Sequence, residues 1–204
     1  MGIQDFITSN NLRLDQQLKF TVEIDKMTGV LRHTLLVDGS RRENDAEHSW
    51  HIAVMTLLFK EYCIAPVDIE RAAKMCLVHD LIEVYAGDTF AYDPVGNKDK
   101  EEREAAAADK LFAKLPSEQG EELRALWKEF DAMQTNDAKY AACMDRLQPF
   151  LHNTLTQGHT WVESGTCRAN VEKRMAIVGE FMPEVYKWVE TNIDHAVEIG
   201  WLKE

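Results

Sequence analysis

The sequence predicts an all-α globule, on three observations. Apolar residues recur at helical spacing almost throughout, and no run alternates apolar and polar as half-buried strands do. Gly, Pro and Asp/Asn clusters punctuate the chain at helix-length intervals. Its 204 residues, 45% hydrophobic and 28% charged, suit one soluble globule with a full core. No repeat or linker-like tract divides them, so residues 1–204 read as a single domain.

In chain order, a first amphipathic helix is expected at about 3–20 and a short second one at about 22–31, interrupted near Gly29. Asp38-Gly39-Ser40-Arg41-Arg42-Glu43 reads as loop. Asn44 then makes an N-cap, with Glu47 in the capping-box position, for a helix over about 45–62. On that helix Ala46, Trp50, Ala53, Val54, Leu57 and Leu58 form one apolar stripe. Ile52, Met55 and Phe59 form a second, with His48 on its line, and Ser49, Thr56 and Lys60 leave a narrow polar strip. A helix so nearly apolar all round belongs in the middle of a bundle.

The next helix, about 67–86, is as apolar but carries His79, Asp80 and Glu83. An irregular stretch follows from Asp88 to Asp99, with Asp93-Pro94 and Gly96-Asn97. A solvated, charged helix is expected at about 99–115, and others at about 118–133 and 136–157. On the last of these Tyr140, Met144, Leu147, Leu151 and Leu155 mark the core stripe, with Asp145 at its edge. Gly158 to Gly165 reads as loop, and two final helices at about 168–181 and 183–199 are separated by Pro183, which suits a first-turn position.

Charge narrows the function. Twenty-three Lys and Arg against 35 Asp and Glu leave −12, which repels polyphosphate backbones and argues against a nucleic-acid polymer as partner. A small anionic substrate would need a local cation. No apolar run approaches the ~18–20 residues of a membrane span, and the N-terminus lacks an export signal. Cys63, Cys76, Cys143 and Cys167 form no CxxC pair and read as reduced thiols of a cytoplasmic protein.

Ionisable groups in apolar helices are the informative feature, because burying one unpaired costs several kcal/mol. Glu83 is i+4 from His79 and i+3 from Asp80, so on one helix the three would share a side and a counter-ion. Imidazole with carboxylate suits Mn, Fe, Co, Ni or Zn rather than Ca or Mg. Alone, a His-Asp pair is more often a core histidine beside a capping or ion-paired aspartate. His48, on the neighbouring central helix, is the natural third ligand, while His51 faces nearer the polar strip. By spacing alone, Asp145 reads better as a surface partner of Arg146 or Lys139.

The ordered set His48, His79-Asp80 and Asp145 resembles the HD-domain superfamily of metal-dependent phosphohydrolases, and more narrowly its 5'-deoxynucleotidase branch. The matching segments are Arg41 to Trp50, His79-Asp80-Leu81-Ile82-Glu83 with Gly87-Asp88, and Lys98 to Arg103. The likeness runs from about residue 20 to about 157, with C-terminal helices about 168–199 packed on that core. It implies an all-α, HD-type helical bundle, one divalent transition metal on His48, His79, Asp80 and Asp145, and catalytic Glu83 and Asp88. Asp88 would also contact the sugar. Arg32 and His33 fall in the substrate-contacting region, where the branch's usual tryptophan after the arginine is missing: the sequence reads Arg32-His33-Thr34.

The implied reaction is attack of a metal-activated water on the 5'-phosphate of a nucleoside monophosphate. Glu83 would position or deprotonate water, or protonate the leaving 5'-oxygen. Arg32 is the first candidate for a phosphate contact, ahead of Arg41 and Arg42. Dinuclear relatives need extra histidines between the His-Asp pair and the final Asp; none occurs between Asp80 and Asp145, so one ion and monoester hydrolysis are expected. Alternatives are another monoester, a nucleoside triphosphate, or a non-catalytic nucleotide- or metal-binding module, which would not need Glu83 beside Asp88. His152, His159 and His195 read as structural or surface residues. Trp161, Trp188 and Trp201 read as exposed aromatics, and the resemblance implies a homodimer.

Overall fold

Asn11 sets the start of the first helix, α1 (Leu12–Ile24), by accepting the backbone N–H bonds of Arg13 and Leu14. The structure, a computed structural model, describes residues 8–93, 95–96 and 98–204. Residues 3–7 of the expected first helix, and Pro94 and Asn97 of the expected loop, lie outside the described residues.

The expected helix over 22–31 does not form. α1 continues to Ile24, a 3-10 turn covers Asp25–Gly29, and β1 (Leu31–Leu35) then pairs antiparallel with β2 (Arg42–Asn44). The turn between them uses Gly39 at φ 72°, a left-handed conformation that glycine adopts without a Cβ clash. Short strands with one buried position, Thr34 in β1 and Glu43 in β2, leave no long alternation to read. The all-α bundle therefore carries one small hairpin.

α2 (Asp45–Thr56) has both halves of the capping box, Asn44 and Glu47 bonding each other's backbone N–H. It ends before the expected position 62, and a 3-10 turn follows at Lys60–Tyr62. Only one face is buried, carrying Asp45, His48, Ser49, Ile52, Met55 and Thr56. Trp50 is 64% exposed and Leu57 and Leu58 are exposed too, so the helix flanks the core rather than threading its middle. Ser49 and Thr56 of the polar strip point inward while Lys60 is exposed; Thr56 satisfies its hydroxyl on Ala53 O at 2.7 Å, which makes its burial tolerable.

The expected 67–86 helix is two. α3 (Ile69–Val78), capped by Asp68, stops with His79 as its C-cap, and α4 (Glu83–Ala86) begins after a turn. Asp80, at the break, is tied to Arg32 of β1 at 2.8 Å, a long-range bond that no helical pattern announces. α5 (Lys100–Phe112) is charged outside but buries Ala107, Ala108, Leu111 and Phe112. α6 (Ser117–Ala132) leads to α7 (Asn136–Leu155), buried along most of its length and packed against α2, α3, α6 and β1. Its core stripe differs at the end: Leu155 is exposed while Gln148 and His152 are buried.

Residues 158–165 are not plain loop. α8 (His159–Ser164) forms between left-handed Gly158 and Gly165 and presses Trp161 into the core, so Trp161 is not the exposed aromatic expected. α9 (Arg168–Phe181) packs on α7, and α10 (Pro183–Glu198) starts at Pro183 as expected and packs on α9. All four cysteines are free thiols. Among the described residues no helix is long and apolar enough to cross a membrane.

Candidate metal centre and its pocket

Three helices deliver four donors to one point. His48 comes from α2, His79 from the C-cap of α3 and Asp80 from the turn just after it, and Asp145 from the middle of α7. His48 Nε2 lies 3.1 Å from Asp145 Oδ1 and 4.0 Å from Asp80 Oδ2. His79 Nε2 lies 3.0 Å from Asp80 Oδ2 and 3.6 Å from Asp145 Oδ1. All four side chains are buried. The structure thus brings together the four residues singled out as ligands, Asp145 included.

The donor set fits a divalent cation. His48 Nδ1 is 3.0 Å from the amide oxygen of Gln148, and His79 Nδ1 is 2.9 Å from the carbonyl of Cys76. Those oxygens only accept, so both Nδ1 atoms carry the hydrogen and both Nε2 atoms face the carboxylates, where a bound cation would meet their lone pairs. Burial pushes the His48 imidazole down to about 4, so it is neutral at pH 7. His79 Nε2 is buried with no aligned hydrogen-bond partner. Lone pairs and carboxylate oxygens at 3–4 Å repel one another unless a cation or a proton sits between them. Two neutral imidazoles and two carboxylates balance a 2+ ion. In its absence His79 holds a proton in that field: burial alone would lower it, but Asp80 and Asp145 raise it to about 10.

A second group of carboxylates faces the first. Asp45 at the start of α2, Glu83 at the start of α4, and Asp88 each place an oxygen within 4.8 Å of the others. Asp88 follows Gly87, whose φ of 74° turns the chain out of α4. Burial, and then the charge of Asp80, push Asp45 up to about 7 and Glu83 well above the usual carboxylate range. The break after α3 places Glu83 on this second wall, not on a continuous helix face with His79. Arg32 stands between the groups, 2.8 Å from Asp80, 3.4 Å from Asp45 and 3.8 Å from Glu43. Its charge is engaged by these carboxylates, and their field holds the guanidinium well above its ordinary value although burial opposes it.

Arg32, His79, Asp80, Glu83, Asp88 and Asp145 line a cavity of about 210 Å³; His48 and Asp45 are not among its lining residues. Lys100, Arg146 and Arg174 add positive charge to its wall, and His33 lies against Phe90 with ring centroids 4.6 Å apart. Arg174 reaches in from α9 to 3.2 Å from Asp145 Oδ2, and Arg146 to 3.4 Å. Neither was singled out as a site residue from the sequence. For Arg174 a signal exists, since it lies beside Met175 and three residues past Val171 on the buried stripe of α9. Arg41 bonds Glu47 and Arg42 lies 3.9 Å from Glu163; neither lines the cavity.

A family model for the HD domain matches residues 24–186, which include every one of these groups. The chain belongs to the HD-domain family. It is 30% identical over 109 residues to bovine 5'-deoxynucleotidase HDDC2, covering 53% of this chain and 52% of that one. The chain thus spans about half the length of that curated relative. The Schizosaccharomyces pombe 5'-deoxynucleotidase hdd1 is 24% identical over 182 residues, 87% of this chain and 79% of its own. The fold also matches the crystal structure of "Predicted metal-dependent phosphohydrolase" from Magnetospirillum magnetotacticum MS-1. That chain is 47% identical, with a TM-score of 0.90, over 97% of this chain and 100% of its own.

Proposed function

We propose that this protein is a metal-dependent phosphomonoester hydrolase that removes the 5'-phosphate of nucleoside or deoxynucleoside monophosphates. The observation that carries the reading is the opposition of two walls across one small cavity: His79, Asp80 and Asp145, backed by His48, on one, and buried Glu83 with Asp88 on the other. A structural metal would not need the second wall. The relatives named above as 5'-deoxynucleotidases support the substrate class.

A divalent ion held by the four donors would polarise the phosphoryl group and make a bound water more acidic. The chain's own residues do the rest. Lys100, Arg146 and Arg174 supply the local positive charge that a phosphate dianion needs on a protein of net charge −12. Arg32 holds Asp80 in place and keeps the two carboxylate walls from repelling each other apart. Glu83, protonated because burial and its acidic neighbours disfavour its charge, holds a proton for the leaving 5'-oxygen. His33 and Phe90 offer a ring face to the base where the branch's tryptophan is missing.

The test is phosphate release from a panel of nucleoside monophosphates, other monoesters, diesters and triphosphates with Mn²⁺, Co²⁺, Ni²⁺ and Mg²⁺. Release from 5'-monophosphates is expected, and Asp80→Ala should lose both bound metal and turnover. Release from triphosphates alone, or nucleotide binding without turnover under every metal, would overturn the reading.

A further inference from the structure

Gln148 occupies a position that the reaction itself does not explain. It lies on α7, three residues after Asp145, and is fully buried. Its amide joins the metal centre to a second cluster made of Glu43, His51 and His152. Those three groups bring ligand atoms within 4.8 Å of one another, yet the Gln148 amide nitrogen already sits among them. It is 2.5 Å from Glu43 Oε1, 3.1 Å from His152 Nε2 and 3.3 Å from His51 Nδ1. A hydrogen-bond donor fills this cluster.

The bonds fix one another in order. His152 Nδ1 is 2.9 Å from the carbonyl oxygen of Leu35, at the end of β1. A carbonyl only accepts, so Nδ1 carries the hydrogen and His152 Nε2 is an acceptor. Glu43 Oε1 is the second acceptor at the same end of the Gln148 amide. Two acceptors at one end require the NH₂ group there, so the amide oxygen must face His48 Nδ1, at 3.0 Å. That oxygen in turn requires the hydrogen on His48 Nδ1 and leaves its Nε2 lone pair directed at Asp145 Oδ1 and Asp80 Oδ2.

We propose that Gln148, oriented by Glu43 and by His152 anchored on the Leu35 carbonyl, is a positioning residue that locks His48 in the Nδ1–H tautomer and so presents its Nε2 to the metal. The proposal rests on the metal-site reading only for the last step. It gives the hairpin a task, since β1 supplies Leu35 O and β2 supplies Glu43. It also gives His152, read from sequence as merely structural, a role one residue removed from a ligand.

Two measurements decide it. In the ¹⁵N-labelled, metal-free full chain, the ring nitrogen shifts of His48 should report Nδ1–H in the wild type and a mixture of tautomers in Gln148→Leu. In cobalt titrations followed by the visible spectrum, Gln148→Leu should bind Co²⁺ about 10–100-fold more weakly than the wild type. His152→Leu should weaken binding in the same direction. His152→Gln, whose side-chain oxygen can accept in place of Nε2, should recover most of the loss, a rescue that a merely space-filling residue would not give. Wild-type affinity and spectrum in Gln148→Leu, or an Nε2–H tautomer of His48 in the wild type, would overturn the proposal. Should Gln148→Leu fail to fold, the wild-type spectrum and the His152 pair still decide. If the wild type bound no cobalt but kept His48 as Nδ1–H, the metal reading would fall while the tautomer lock would stand.

Discussion

Burial above all, and then the charges of Asp80, Asp45 and Asp88 against that of Arg32, push the Glu83 carboxyl well above the usual carboxylate range, which favours its protonated form. Glu83→Gln keeps the shape and the neutral state but has no proton to give. Turnover of the preferred monophosphate should fall about 100- to 10,000-fold with the bound metal retained. Phosphate release beside metal analysis checks both, and near-full turnover would remove Glu83 from proton transfer. The sequence exposed this residue, with His48, His79 and Asp80, for a physical reason: an ionisable group in an apolar helix demands a partner. Asp145 escaped the same logic because Arg146 beside it offers an ordinary surface explanation, and only the family resemblance raised it. Gln148 and Arg174 escaped altogether. A glutamine carries no charge that needs explaining, and an arginine at a helix edge looks solvated until its partner from another helix is known.

At the level of elements, helices over 45–56, 100–112, 117–132, 136–155, 168–181 and 183–198 were legible, because each has a cap or a periodic apolar face. What the periodicity missed was the hairpin, whose strands are too short to show alternation, and the break between α3 and α4, set by a contact distant in sequence where Arg32 holds Asp80. The position of α4 also depends on such contacts. Glu23, near the end of α1, pairs with Lys26 and lies 3.3 Å from Lys114 just past α5, while Lys110 stands 3.7 Å over the Tyr85 ring of α4. Lys26 above all, with help from Tyr85 and Lys114, holds the Glu23 carboxyl down to about 2 against an ordinary 4.5. A carboxylate lowered on folding contributes stability that is complete above its unfolded value and is lost as the pH falls through the folded one. Glu23→Gln should therefore cost about 0.2–1 kcal/mol at pH 6, as expected for a half-solvated pair. That gap should close between pH 4.5 and about 2. Urea unfolding of both proteins across this range checks it; a gap independent of pH would mean that packing, not charge, is responsible.

The whole molecule concentrates negative charge where it is hardest to hold. On a chain of net charge −12, Glu43, Asp45, Asp80, Glu83 and Asp145 are all buried, with Arg32 among them and Arg146 and Arg174 against Asp145. Folding without a metal must bring two of these carboxylates within 3–4 Å of the two imidazole Nε2 atoms, and a proton on His79 then supplies the compensating charge. An ion in the site would relieve that repulsion in the folded state only, because the four donors come from three helices and meet nowhere in the unfolded chain. Binding of that kind raises stability by about 2.7 kcal/mol when the free metal is a hundred times its dissociation constant. For a chain of this length that is a rise in melting temperature of about 5–10 °C. Thermal unfolding in saturating Mn²⁺ and in excess chelator, at equal ionic strength, measures the difference. The wild type should show it and Asp80→Ala should not, since removing one carboxylate leaves the ion three ligands. Identical wild-type melting curves in the two conditions would mean that no cation bridges the helices, and the buried carboxylates would then have to be held by shared protons with Arg32, Arg146 and Arg174.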